Sequence, residues 1–257
     1  MSRLLKNLNI FRLEPNYPQI TKSIIYELGI ETTKKLNDSQ QKLESITWNN
    51  GEANLDTEYS KLACDCCIMS WDTMKIKYPE YSEIEITCII PDINIRFKYP
   101  DGIELKDKIE LKSSKGKRMP GSTIQKLDIN QTLIYCLRPS IASEPYKLRC
   151  SQYYYAMGES DIDLFQDRTP RPFINFEKMN EVDNTVPFVT KNKSVWTEHY
   201  AKCALKRIEE TTICQKSWQD DMIKIMKNKI IEDYVRNTSD QQFKIDKMSL
   251  QVENTNI

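Results

Sequence analysis

Between residues 92 and 112 the chain alternates apolar and polar side chains twice, on either side of Pro100-Asp101-Gly102. Side chains alternate faces along a strand, so this pattern reads as a β-hairpin. In the first arm Ile93, Ile95, Phe97 and Tyr99 take odd positions, and Asp92, Asn94, Arg96 and Lys98 take even ones. In the second arm Ile103, Leu105, Ile109 and Leu111 are odd, and Glu104, Lys106, Lys108, Glu110 and Lys112 are even. A two-residue Asp-Gly loop would set odd against even and mix the two faces. A three-residue loop with Gly102 in the left-handed region pairs residues whose numbers sum to 202. That register predicts Asp92 directly opposite Glu110, with Lys112 two residues further on the same face.

Cross-strand neighbours have Cβ atoms about 5 Å apart. Two carboxylates so placed repel, and removing one is expected to stabilise the metal-free protein. A divalent cation resolves the conflict. Mg²⁺ in particular takes one or two carboxylates and completes its shell with water and phosphate oxygens. A lysine alongside can hold a water molecule. Metal, positioned water and a phosphodiester together make metal-assisted hydrolysis. A second Glu-x-Lys, Glu104-Leu105-Lys106, lies twelve residues past Asp92 and stays open as an alternative.

The rest of the chain supports an ordered α/β or α+β protein. Of its 257 residues 39% are hydrophobic, which is enough for a substantial core. Residues 17–36 and 52–76 read as helices, 83–112 as strands, 122–137 as a helix, and the Tyr-rich stretch 146–155 as a strand. Residues 160–194 look irregular, and Trp196 to about Arg236 reads as helical. The expected organisation is an N-terminal helical region over 1–51, a catalytic core over 52–158, and an irregular then helical region over 159–257.

Several function classes are disfavoured. Net charge is zero, so a nucleic-acid surface has to come from local clustering. One histidine, His199, leaves little for histidine catalysis. There is no GxxxxGK[ST] phosphate loop. No apolar run suits a secretory signal or a membrane span. The eight cysteines therefore read as reduced thiols of a cytoplasmic protein, and Cys64, Cys66 and Cys67 as buried on a helix.

Pro91-Asp92 followed after eighteen residues by Glu110-Leu111-Lys112 resembles the PD…(D/E)-x-K signature of the restriction-endonuclease-like nucleases. The resemblance covers about 85 residues, roughly 52–137. It implies a core of helix, three strands, helix and strand, with a central mixed sheet flanked by helices and helical additions at both ends. It implies that Asp92, Glu110 and the backbone carbonyl of Leu111 bind Mg²⁺, with Mn²⁺ able to substitute. It also implies that Lys112 positions the attacking water. Glu58, on the preceding helix, is a candidate further ligand. Gln131-x-x-x-Tyr135 is similar to a motif of the recombination and repair branch. The segment ELKSSKGKRMPGSTIQKLDINQ is similar to small type II restriction endonucleases.

Basic residues follow the signature without an acid among them: Lys112, Lys115, Lys117, Arg118 and Lys126. Ser113, Ser114, Ser122, Thr123, Gln125 and Gln131 add donors, and Ser122 with Gln125 fits a capping box at a helix N-terminus. These are the expected contacts to double-stranded DNA. The leading expectation is a sequence-specific double-strand endonuclease. The alternatives are a repair nuclease reading DNA structure or ends, and a non-catalytic DNA-binding protein on the same fold. A twofold DNA target favours a homodimer, with part of 160–236 as the expected interface, where large apolar residues run from Trp196 to Tyr234.

Overall fold

The computed structural model describes residues 16–48, 57–79, 83–123, 126–141, 143–163, 171–181 and 186–192, with 194, 198, 225–229 and 232. The chain divides into two compact units, Met1–Glu198 and His199–Ile257. In the second unit the described residues 225–229 are helical. Most of the expected helix from Trp196 onward, and with it the expected dimer face, lies outside the described residues, as does Gln125.

Helix α1 (Tyr17–Asn37) begins where the Asn16 side chain accepts from the Gln19 amide, with a proline in the first turn, and ends on Lys34 and Lys35. Each of these choices suits the local backbone or the helix dipole. A one-turn helix α2 (Gln40–Glu44) follows, and then α3 (Thr57–Met74). Three antiparallel strands come next, β1 (Ile84–Ile89), β2 (Asp92–Lys98) and β3 (Glu104–Ser114). Strand β4 (Arg118–Pro120) leaves the sheet, β5 (Thr132–Leu137) returns parallel to β3, and β6 (Lys147–Gln152) runs antiparallel to β5. A single turn α4 (Tyr153–Ala156) leads into β7 (Met157–Asp163) and β8 (Arg171–Asn175). The main sheet has the order β1-β2-β3-β5-β6, and a smaller sheet the order β4-β8-β7. The protein is thus a mixed α/β structure with a five-stranded mixed sheet flanked by helices.

The hairpin takes the register that parity dictates. Ile93 pairs with Ile109 and Lys98 with Glu104. The loop is closed by Gly102 N to Tyr99 O and by Tyr99 N to Ile103 O, both 2.9 Å, with Gly102 at φ 87°. Ile93, Ile95, Phe97, Tyr99, Ile109 and Leu111 are buried in one core with α1, α3, Ile134, Cys136, Leu148 and Cys150. Asp107 shares their parity. It avoids an apolar burial by meeting Lys22 of α1 at 3.0 Å, and Lys22 also holds Asp128 at 2.6 Å. Burial works to lower the Lys22 pKa, but Asp107 and Asp128 outweigh it and hold it above the ordinary lysine value.

Two expectations are corrected. Residues 122–137 hold no helix among those described: Ser122 and Thr123 lie in a loop, and Thr132–Leu137 is β5. Every residue of β5 from Thr132 to Cys136 is buried, because both faces of this strand are covered. A short apolar run of this kind does not separate helix from strand by period. Tyr153, Tyr154 and Tyr155 form a helical turn rather than a strand end, and the irregular stretch after 160 contains the rest of β7 and β8. Helix α1 contributes buried residues to the same core as the sheet, and β7 spans Met157–Asp163.

Gly29 of α1 lies close against the sheet. A Cβ there would lie 2.6 Å from Thr132 Cγ2 and 3.0 Å from Cys150 Sγ. Gly29→Ala is therefore expected to cost about 1–3 kcal/mol through overpacking. Urea unfolding checks this, and an unchanged midpoint would mean that α1 can retreat from the sheet without cost. Residues 186–192 cross the end of the sheet. The Gln152 amide pairs both ways with Val189, and the Asn130 amide both ways with Lys191. Phe188 packs against the core, its ring centroid 6.0 Å from that of Tyr26.

Candidate active site

Asp92 opens β2 directly after the Ile90-Pro91 turn, which α3 steadies through Ser60 Oγ donating to the Pro91 carbonyl at 3.1 Å. The pairing of β2 with β3 begins at Ile93–Ile109, and Asp92 and Glu110 are the next residues outward from that pair on their strands. Leu111 N lies 3.4 Å from Asp92 Oδ1, which places the carboxylate against the backbone of β3. Both acids have even parity, opposite to the residues buried with α1 and α3.

Each carboxylate has its own lysine. Asp92 Oδ2 is 2.5 Å from Lys108 Nζ, and Glu110 Oε1 is 2.8 Å from Lys112 Nζ. Glu110 is 2% exposed, and Ser122 Oγ reaches both of its oxygens, at 2.8 and 3.0 Å. Ser122 N in turn donates to the Tyr153 hydroxyl. Burial of this acid is tolerated because its oxygens are hydrogen-bonded and its charge is matched. The expected repulsion between two bare carboxylates is thus met by two ammonium groups. Asp92 and Glu110 then cannot be removed to the protein's benefit, since each loss strands a lysine.

Next to Lys112 in the parallel register stands Tyr135, whose hydroxyl donates to Gly116 O at 2.6 Å. Burial pushes its pKa up to about 12, so it stays a neutral donor at ordinary pH. This bond fixes the bend by which the chain leaves β3 for β4.

The expected DNA contacts separate into two groups. Lys115, Arg118 and Lys126 are exposed, and Ser122 and Thr123 half-buried. Arg118 stacks over the Phe173 ring at 5.0 Å, and Lys117 pairs with Glu177 at 2.6 Å. The Lys117 ammonium, donating a hydrogen bond, holds the Glu177 carboxyl below the usual carboxylate range. Ser113 is buried at odd parity, away from Lys112, and Gln131 is buried ahead of β5, so neither offers a surface donor. Ser114 accepts from the Gly116 amide. Ser122 is not a helix cap; it is a partner of Glu110.

Glu58 accepts from the Thr47 amide at 2.9 Å. Among the described residues no group of three or more His, Cys, Asp or Glu is placed to hold a metal. Glu104 and Lys106 are exposed and pair across from Lys98 and Arg96, at the far end of β2 from Asp92, which closes that alternative. Cys64, Cys66 and Cys67 are buried free thiols on α3, and burial pushes Cys67 up to about 12 and Cys64 to about 11. The sequence reading missed two members of the site, Lys108 and the bond from Ser122 to Glu110. Lys108 was legible as the even residue just before Glu110. The Ser122 contact depends on the path of the chain after β3, which no local pattern encodes.

Asp92 and Glu110 share even parity on adjacent strands, each paired to a lysine, and their carboxylates are the kind of hard donor that Mg²⁺ takes together with water. No protein-family model matches this chain, and no curated protein or solved structure is significantly similar to it. No helix among the described residues is long and apolar enough to cross a membrane.

Proposed function

We propose that the chain is a Mg²⁺-dependent DNA endonuclease of the restriction-endonuclease-like kind, cutting double-stranded DNA at a specific sequence. The observation that carries this reading is the Asp92 carboxylate 3.4 Å from Leu111 N of β3, beside Glu110 and its partner Lys112, with the three charged residues at even parity on one hairpin. The strand polarities support it, with three antiparallel strands followed by a parallel neighbour of β3. One departure from the expected core is the crossover from β3 to β5, which has no helix among its described residues.

In this reading Asp92, Glu110 and the Leu111 carbonyl hold Mg²⁺, with Mn²⁺ as a substitute. The ion would supply Lewis-acid polarisation of the phosphate and stabilise developing negative charge. Lys112 holds the attacking water beside the phosphate. Water adds to phosphorus, the P–O3′ bond breaks, and the 3′ oxygen takes up a proton, leaving a 5′-phosphate and a 3′-hydroxyl. Lys115 and Lys126 are exposed cations that the DNA backbone can reach. Two such sites related by a twofold axis would cut both strands, so the proposed working form is a homodimer. The cytoplasm is the compartment consistent with the free thiols.

The deciding experiment incubates the protein with Mg²⁺ and long unmethylated DNA. Discrete fragments are expected. A smear would point to a structure-reading or nonspecific nuclease, and uncut but retarded DNA to a binding protein. Lys112→Ala should slow single-turnover cleavage by roughly 100-fold or more while DNA affinity changes little. Lys115→Ala with Lys126→Ala should instead weaken binding and flatten its salt dependence. Equal effects on affinity would make Lys112 only another phosphate contact.

A further inference from the structure

We propose that Lys108 is a built-in counter-cation that occupies Asp92 in the metal-free protein and must leave it before a divalent ion binds. Lys108 thereby sets the metal concentration at which the site loads. This rests on the metal-site reading given above. Lys108 pairs across from Asn94, so it sits diagonal to Asp92 at the same parity. Its Nζ is 2.5 Å from Asp92 Oδ2, within the space an ion bound to that oxygen would need.

The two ion pairs of the site are unequal. Lys112 is 17% exposed and its partner Glu110 2%, and Ser122 holds that carboxylate as well. Lys108 is 38% exposed and Asp92 15%. An ammonium on a flexible four-carbon stem with water beside it can swing away at little desolvation cost. The Lys112 ammonium, more deeply set, has no such exit. Loading therefore exchanges one cation for another at Asp92 and leaves the Glu110–Lys112 pair in place for the reaction. Once released, Lys108 stays on the same strand face.

The test measures Mn²⁺ binding to the full chain without DNA, by calorimetry or by the loss of the free-ion electron-spin signal. Lys108→Met should bind Mn²⁺ roughly fivefold more tightly than the parent protein, the scale of a partly exposed ion pair. Lys106→Met is the control: it removes the same charge two residues away, at an exposed position opposite Arg96, and should change affinity less than about twofold. Asp92→Asn should abolish the gain and weaken binding at least about tenfold. Lys108→Gln serves as a second variant should the Met form fold poorly. If Asp92→Asn weakens binding but both Lys108 variants bind as the parent does or more weakly, the counter-cation proposal is overturned and the metal site stands. If Lys106→Met tightens binding as much as Lys108→Met, general charge accounts for the effect and the proposal also fails. If Asp92→Asn binds Mn²⁺ normally, the metal site itself is wrong and the proposal goes with it.

Discussion

Asp92→Asn and Glu110→Gln are each expected to lower the single-turnover cleavage rate in Mg²⁺ by roughly a thousandfold or more. A bound ion stabilises transition-state charge by several kcal/mol, and each 1.36 kcal/mol is a factor of ten. Binding of DNA in the absence of metal should survive, because the exposed cations Lys115 and Lys126 are untouched. Stability should fall slightly, by about 1–2 kcal/mol, since Lys108 or Lys112 loses a charged hydrogen-bond partner. The sign matters: two bare carboxylates would give the opposite result. Cleavage within tenfold of the parent rate for either variant would remove that residue from the metal site.

Lys22→Met should cost about 2–3 kcal/mol in urea unfolding and have little direct effect on chemistry. The variant leaves Asp107 and Asp128 facing each other without a cation. Lys22 and Asp107 are 23% and 19% exposed, so the penalty lies between that of a surface pair and that of a fully buried one. The raised Lys22 pKa fixes the pH behaviour. Its contribution is fully present below the unfolded lysine pKa and is lost only as pH rises through the higher folded value. The deficit should therefore be constant from about pH 6 to pH 9. Adding Asp107→Leu to Lys22→Met should recover much of the loss, because position 107 faces the apolar core side and Asp128 can return to water. A single-variant loss below about 0.5 kcal/mol, or no recovery in the double variant, would show that the pair is not holding α1 to β3.

The hairpin was legible because two local signals agree in it. Alternation fixed the faces, and Gly102 fixed the loop length; together they left one register. Helix α1 was legible as a helical stretch over 17–36, while its Asn16 cap became visible only in the structure. Strand β5 was not, since Thr132–Cys136 is buried on both sides and carries no alternation. Asp107 also broke the pattern without warning, its explanation lying 85 residues away in Lys22. The surroundings of the basic loop were hidden for the same cause, since Glu177 meets Lys117 and Phe173 meets Arg118 from far along the chain. Ser113 and Gln131 were counted as donors by type, whereas parity and burial decide what a donor can reach.

Both acids and both of their lysines belong to a single hairpin, while the joins of α1 to β6 and of β3 to β5 close much longer loops. Hairpins form in about 1–10 μs, and non-local pairings are slower because loop closure must come first. Asp92 and Glu110 are thus expected to meet on the nascent hairpin before the rest of the sheet has assembled around them. At that stage only Lys108 and Lys112, carried on the same strand, are at hand to neutralise them. The hairpin brings its own counter-ions through folding, and its register need not wait for a metal to arrive.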